Sequence, residues 1–297
     1  MTIRSIFEKL HADAVVVSTL HTKPFFKSWP DTYNDTRTIV IVFFIICTLH
    51  YTLLQIFKKN QTSLKLKDSK ETMRLSYQAT NFIVNLSLAI LGIYTIFNSK
   101  KPLTLLHPFY ESDILVRISG YTQYTYFAAF QLGYNFWALP VGILFVDESP
   151  FMILHHVAVV SSTVLACYSS TAYNYASVYI FGVAEMSSVP LAIMNYLKYH
   201  REWTKKHFES GYGVIKIVFA VSFLILRVFI ATPLILDLLR SSFLVIWTLI
   251  LFAIHGNSNV NVAVDVGLIK IIICGSNFIL MCCLGFLQVS YSKSVHE

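Results

Sequence analysis

The run Thr38-Ile-Val-Ile-Val-Phe-Phe-Ile-Ile-Cys-Thr-Leu-His-Tyr-Thr-Leu-Leu-Gln-Ile-Phe57 holds no charged residue, and Lys58-Lys59 closes it. At a helical rise of about 1.5 Å per residue it reaches about 30 Å, the thickness of a bilayer's hydrocarbon core. The run therefore reads as a transmembrane helix, and the rest of the chain repeats its pattern. Of 297 residues, 55% are hydrophobic and 13% charged, whereas soluble domains carry about 25% charged residues. With a mean hydropathy of +0.60, the chain has more apolar surface than a soluble core of this length can hide. That excludes a soluble enzyme, a disordered chain and a disulfide-stapled secreted module.

Apolar segments recur at about 38–57, 76–97, 118–142, 150–170, 172–197, 213–237, 241–254 and 266–290. Ser241–Ile254 is short for a crossing. The expected fold is thus all-α, a polytopic bundle of seven transmembrane helices, or eight if that segment also crosses. Residues 1–37 lack the continuous apolar stretch of a signal peptide. Ile3, Ile6, Phe7, Leu10, Ala14 and Val17 recur there at helical spacing, which predicts an amphipathic helix on the membrane surface. A first transmembrane helix with its basic loop (38–69), a main transmembrane domain (70–290) and a short polar tail (291–297) complete the organisation. No internal repeat is visible.

The formal charge of +7 is a matter of orientation rather than of nucleic-acid binding. Lys58, Lys59, Lys65, Lys67, Lys70 and Arg74 stand against Asp68 and Glu71 after the first span, a net +4. Lys198, Arg201, Lys205 and Lys206 stand against Glu202 and Glu209 after the fifth, a net +2. Four crossings separate the two loops, so both lie on one side, and basic excess places that side in the cytosol. The five cysteines lie in apolar runs without zinc or redox spacing. They read as reduced and structural, with palmitoylation of Cys282–Cys283 an alternative.

Ionisable groups within spans are costly and so mark candidate function. His155 and His156 lie early in the fourth span. Adjacent helical residues point about 100° apart, so one ring is expected to face a cavity and the other to pack. The remaining histidines form no H-x-x-H-H box, so neither a di-iron site nor any metal or resident cofactor is expected. A neutral imidazole in such a cavity can act as a general base or an acyl acceptor, or simply hydrogen-bond the next helix. Glu185 sits mid-span in Phe181-Gly-Val-Ala-Glu-Met-Ser-Ser-Val-Pro190. With Ser187 and Ser188 beside it, the carboxyl reads as a polar node, and Arg227 or a histidine is its obvious partner. Tyr134 and Asn135, with Gln131 and Trp137, make the third segment too polar for lipid and suit a cavity wall.

Together these features resemble the TLC-domain family, which includes the ceramide synthases and smaller TLC-domain-containing proteins. The resemblance runs from about Lys70 to Gln288. It begins at Glu71-Thr-Met-Arg74 and continues through Gln131-Leu-Gly-Tyr-Asn-Phe-Trp137, the acidic link Asp147-Glu148 and the double histidine. Ala184-Glu185-Met-Ser-Ser-Val-Pro190 and Leu226-Arg-Val-Phe-Ile-Ala-Thr-Pro233 complete it. It implies a six-helix core around a lipid-accessible cavity, in an internal membrane such as the endoplasmic reticulum rather than the plasma membrane. In ceramide synthases the matching histidine pair and a downstream pair of aspartates serve N-acylation of a sphingoid base by acyl-CoA. Here Glu185 stands near one aspartate position, while Gly182 and Val183 occupy the region of the other. The smaller family members are the better match.

The leading expectation is a protein of membrane lipid homeostasis that binds, senses or modifies a lipid in an intramembrane cavity. The alternatives are an N-acyltransferase, with acyl-CoA as co-substrate and His155, His156 and Glu185 as its candidate catalytic groups, and a transporter. Membrane lipids are the expected partners, no nucleic acid is, and a homodimer stays open.

Overall fold

The computed structural model describes residues 29–64, 66, 68–98, 124–168 and 174–236. The amphipathic helix expected near the N-terminus, the start of the third span at 118–123, the segments at 241–254 and 266–290, Cys282–Cys283 and the polar tail lie outside these residues. Among the described residues every regular element is helical. These are α1 (Trp29–Lys59), α2 (Ser69–Asn98), α3 (Thr125–Val141), α4 (Pro150–Tyr168), α5 (Asn174–Ile180), α6 (Ser188–Tyr199), α7 (Arg201–His207) and α8 (Glu209–Phe223).

Six helical stretches are long and apolar enough to cross a membrane: Pro30–Lys59, Ser69–Asn98, Thr125–Val146, Pro150–Tyr168, Ala176–Lys198 and Glu209–Leu236. They coincide with the first six predicted spans. Their burial differs sharply. In Ala176–Lys198, 72% of the apolar window is buried, against 22% in Pro30–Lys59, so the fifth span forms the axis of the bundle and α1 its flank. Val40, Ile41, Phe44 and Ile45 of α1 point outward, as suits a lipid-facing surface. Ile39, Val42 and Ile46 turn inward and join Phe127, Leu132 and Tyr77 in one core.

Three spans are irregular, each close to a proline. The third passes into a π-helical turn at Gly142–Val146, just after Pro140. In the fifth, a 3-10 turn at Val183–Ser187 precedes Pro190. The sixth becomes π-helical at Leu224–Ala231, just before Pro233. Proline has no N–H and crowds the carbonyl four residues earlier, so each helix changes register and frees backbone groups. At the sixth span, Thr232 compensates: its hydroxyl donates to the Arg227 carbonyl at 2.9 Å.

Close backbone approach fixes the unwound fifth span. A Cβ on Gly92 of α2 would lie 2.8 Å from the Val183 nitrogen and 2.9 Å from the Gly182 carbonyl carbon. Only glycine lets α2 press against the turn that carries Glu185.

One end of the bundle is tied by charge. Asp147, between the third and fourth spans, pairs with Lys70 and lies 3.5 Å from the Arg74 guanidinium. Arg74 Nε also donates to the Val146 carbonyl at 3.1 Å. His200, after the fifth span, lies 3.0 Å from the Glu71 carboxylate. The links after spans one, three and five therefore share one end of the molecule, the arrangement that alternate crossings require.

Candidate functional site

The interruptions in the fifth and sixth spans meet at a polar cavity of about 60 Å³. A water needs about 10–15 Å³ measured this way, so the space holds about four waters or a few heavy atoms of a ligand. The cavity touches α2, α3, α4, the fifth span and the sixth, and Leu191, Phe219 and Phe223 give it an apolar side.

One part of it is built around Glu185, which the broken fifth span turns inward at 5% exposure. Arg227 Nη2 lies 3.3 Å from both carboxylate oxygens. The guanidinium also donates through Nε to Ser187 Oγ at 2.9 Å and through Nη2 to Ser188 Oγ at 3.0 Å. Ser188 Oγ in turn donates to Glu185 Oε2 at 2.6 Å. A buried carboxyl and a buried guanidinium are tolerable only when so paired. Of the two partners the sequence left open for Glu185, Arg227 or a histidine, Arg227 is the one that lies against it.

The other part centres on His156, which is 4% exposed. Asn135 Nδ2 donates to the Gln131 carbonyl at 2.7 Å, and this turns Asn135 Oδ1 toward His156 Nδ1, 2.7 Å away. The amide oxygen can only accept, so Nδ1 carries the proton and Nε2 faces the cavity side. There it meets Glu148 Oε2 at 3.4 Å, both side chains nearly buried. The geometry stops short of a hydrogen bond, and both atoms remain without a partner. Gln131 Nε2, donating to Glu185 Oε1 at 3.4 Å, joins the two halves. Tyr134 donates to Asn81 Oδ1 at 3.1 Å within the same wall.

Both histidines line the cavity. The sequence expectation placed one ring in a cavity and the other in packing. Instead the rings stand 5.7 Å apart, edge to face, because the cavity wraps around the start of α4. His155 has no side-chain hydrogen-bond partner among the described residues, whereas His156 is held through Nδ1 by Asn135. Among the described residues no group of three His, Cys, Asp or Glu has metal-holding geometry.

Glu148 was legible in sequence only as half of a short acidic link. Asp147 takes a left-handed conformation, φ 55°, which reverses the chain and sends the two carboxylates in opposite directions. Asp147 meets Lys70 and Arg74 outside, and Glu148 folds under Gly142. A Cβ on Gly142 would lie 2.7 Å from Glu148 Oε2, so glycine makes the notch. The lysine ammonium, by hydrogen bond and charge, holds the Asp147 carboxyl below its ordinary range, and Arg74 adds to this. A second omission lies on α2. Gln78, Asn81 and Asn85 all line the cavity, and their i, i+3, i+7 spacing was a readable polar stripe on an apolar helix.

The fold and site define a class, a polytopic α-helical membrane protein with a polar cavity among its spans. The family model described as the TLC domain (TRAM, LAG1 and CLN8) matches residues 74–290, and the chain belongs to that family. No curated protein and no solved structure matches it significantly.

Proposed function

We propose that the protein acts in membrane lipid homeostasis by holding the polar end of a lipid in this cavity, with the tail against the apolar side. The observation that carries the reading is the cavity's unmet hydrogen-bonding capacity. Among the described residues, four of the five buried side-chain atoms without a partner belong to residues that line it. Hydrocarbon cannot satisfy such groups, and leaving each unmet costs about 1–3 kcal/mol, so a polar occupant stabilises the bundle. The test is to purify the full chain in mild detergent and compare co-purifying lipids with the source membrane by mass spectrometry. A lipid class enriched in the native chain and lost in Gln131→Leu is expected. A lipid profile matching the bulk membrane in both refutes the reading.

A second reading, N-acyl transfer, is favoured by the His156–Glu148 geometry. Asn135 sets the tautomer, and the Nε2 lone pair this leaves, 3.4 Å from Glu148 Oε2, is placed for general acid–base work. In that chemistry an amine attacks an acyl-CoA thioester, a C–N bond forms and the C–S bond breaks. The amine proton passes to the His156–Glu148 pair and then to the departing thiolate. Transfer of labelled acyl groups from acyl-CoA to a long-chain amine, lost in His156→Ala and in Glu148→Gln, is the expected result. Equal turnover in the variants refutes this reading while leaving lipid binding in place.

A further inference from the structure

Away from the cavity, the end of the bundle shared by the links after spans one, three and five carries a second feature, on the link after span five. α7 (Arg201–His207) is a short helix set between the fifth and sixth spans. Thr204 is 3% exposed, and its hydroxyl donates to the Leu197 carbonyl at 2.8 Å. This bond fixes which side of α7 faces the protein. At about 100° per residue, Lys206 then points away from the bundle, with Trp203 and Lys205 on the two flanks. All three are exposed, Trp203 by 52%. The Trp203 indole lies against His207, ring centroids 5.6 Å apart. A second contact fixes the exit from α7, because a Cβ on Gly211 would enter the Phe208 ring.

An indole on the outer side of a helix between two spans suits the membrane–water interface, since it is apolar in its rings and polar at its N–H. The level of that interface is marked independently on α8. There the Lys216 ammonium sits over the Tyr212 ring one turn earlier, 4.6 Å from its centroid, as a lysine does when it rises from an apolar helix toward headgroups. Charge then distinguishes the kinds of headgroup. The ion pairs at this end use Lys70, Arg74 and His200, and among the described residues none uses Lys205 or Lys206. Glu202 and Glu209 lie nearby in sequence, and the link still sums to +2. Two lysines beside an interfacial indole meet only zwitterions in a neutral bilayer, and a net negative surface in an anionic one.

We propose that Trp203, Lys205 and Lys206 form a contact surface for anionic phospholipid in the leaflet at this end, with the indole at the glycerol level and the ammonium groups on the phosphates. The surface lies outside the cavity and does not depend on what the cavity holds.

The test places the full chain in nanodiscs of phosphatidylcholine. A minor fraction of the lipid is either phosphatidylglycerol or phosphatidylcholine brominated near the glycerol end of its acyl chains. Bromine quenches nearby indoles, and subtracting the emission of Trp203→Phe protein isolates Trp203. Stronger quenching by the brominated phosphatidylglycerol is expected, and high salt should weaken that preference. Each of Lys205→Gln and Lys206→Gln should lower it about fivefold, the effect of one lysine at an anionic surface. Replacing Lys58 and Lys59, in the last turn of α1, by glutamine should leave it intact. Equal quenching by the two lipids overturns the proposal, as does an unchanged preference in both α7 variants. Absence of quenching by either lipid also overturns it, since the indole would then face water or a soluble partner. An equal loss in the α1 variant overturns it too, because the preference would belong to the net charge of that end rather than to α7.

Discussion

Replacing Arg227 by methionine tests the central claim about the site, that one half of it is a desolvated ion pair bridging two spans. The side chains of Arg227 and Glu185 are 11% and 6% exposed and their charged groups lie 3.3 Å apart. Arg227→Met removes the charge and leaves Glu185 with two neutral donors, Ser188 Oγ at 2.6 Å and Gln131 Nε2 at 3.4 Å. Removing one member of a buried pair costs about 3–5 kcal/mol, whereas replacing both by apolar groups is often near neutral. At about 2–4 °C per kcal/mol for chains somewhat smaller than this one, the single variant should lose about 6–20 °C in Tm. Glu185→Leu should lose a comparable amount, because it leaves the guanidinium unpaired. The double variant should lie closer to the native protein than either single. The assay is a double-mutant cycle by tryptophan fluorescence during thermal unfolding in detergent. If the double variant loses the sum of the two single losses, the pair is not coupled and the site as described is wrong.

Three further outcomes follow from particular contacts. Gly92→Val places a Cβ within 3 Å of the Gly182–Val183 backbone. It should therefore destabilise the chain by about 1–3 kcal/mol, the usual cost of overpacking, read as a lowered Tm. Gly142→Ala meets the mobile end of Glu148 rather than backbone, so Tm should change little while the Glu148–His156 approach is lost; carbethoxylation of His156, quantified by mass spectrometry, should differ from the native rate. For Asp147 the folded pKa lies below the ordinary 3.8. Its stabilising contribution is therefore complete at neutral pH and is lost only as pH falls through that lowered value. The Tm difference between native and Asp147→Asn protein should accordingly stay constant from pH 8 to 5, and a difference that vanishes within that interval contradicts the assignment.

The spans and the site were not equally legible. Spans are written locally: twenty apolar residues with basic ends read as a helix in any context, and six of the expected segments are present at nearly the expected bounds. His155, His156, Glu185 and Arg227 stood out because a polar group in hydrocarbon has few reasons to exist. Glu148 carried no such signal, since an acidic residue in a short link between spans is ordinary. Its inward course depends on a left-handed Asp147 and a glycine six residues earlier. Asn81 and Asn85 carried a moderate signal, a periodic one, on a helix whose mean hydropathy concealed it.

What the sequence by itself determined was a helical membrane protein, the number and order of its first six spans, and the side shared by its basic loops. Hydropathy and charge act residue by residue against the bilayer, so these properties need no knowledge of which helix touches which. The tertiary structure decided which polar groups meet. It joined Glu185 to Arg227 across 42 residues and brought Glu148 against His156. It also seated α1, which lies before the matched family region, in the same core. Those choices depend on glycines that let backbones touch and on prolines that unwind helices at the cavity. Such constraints exist only between segments, and a single segment's sequence does not contain them.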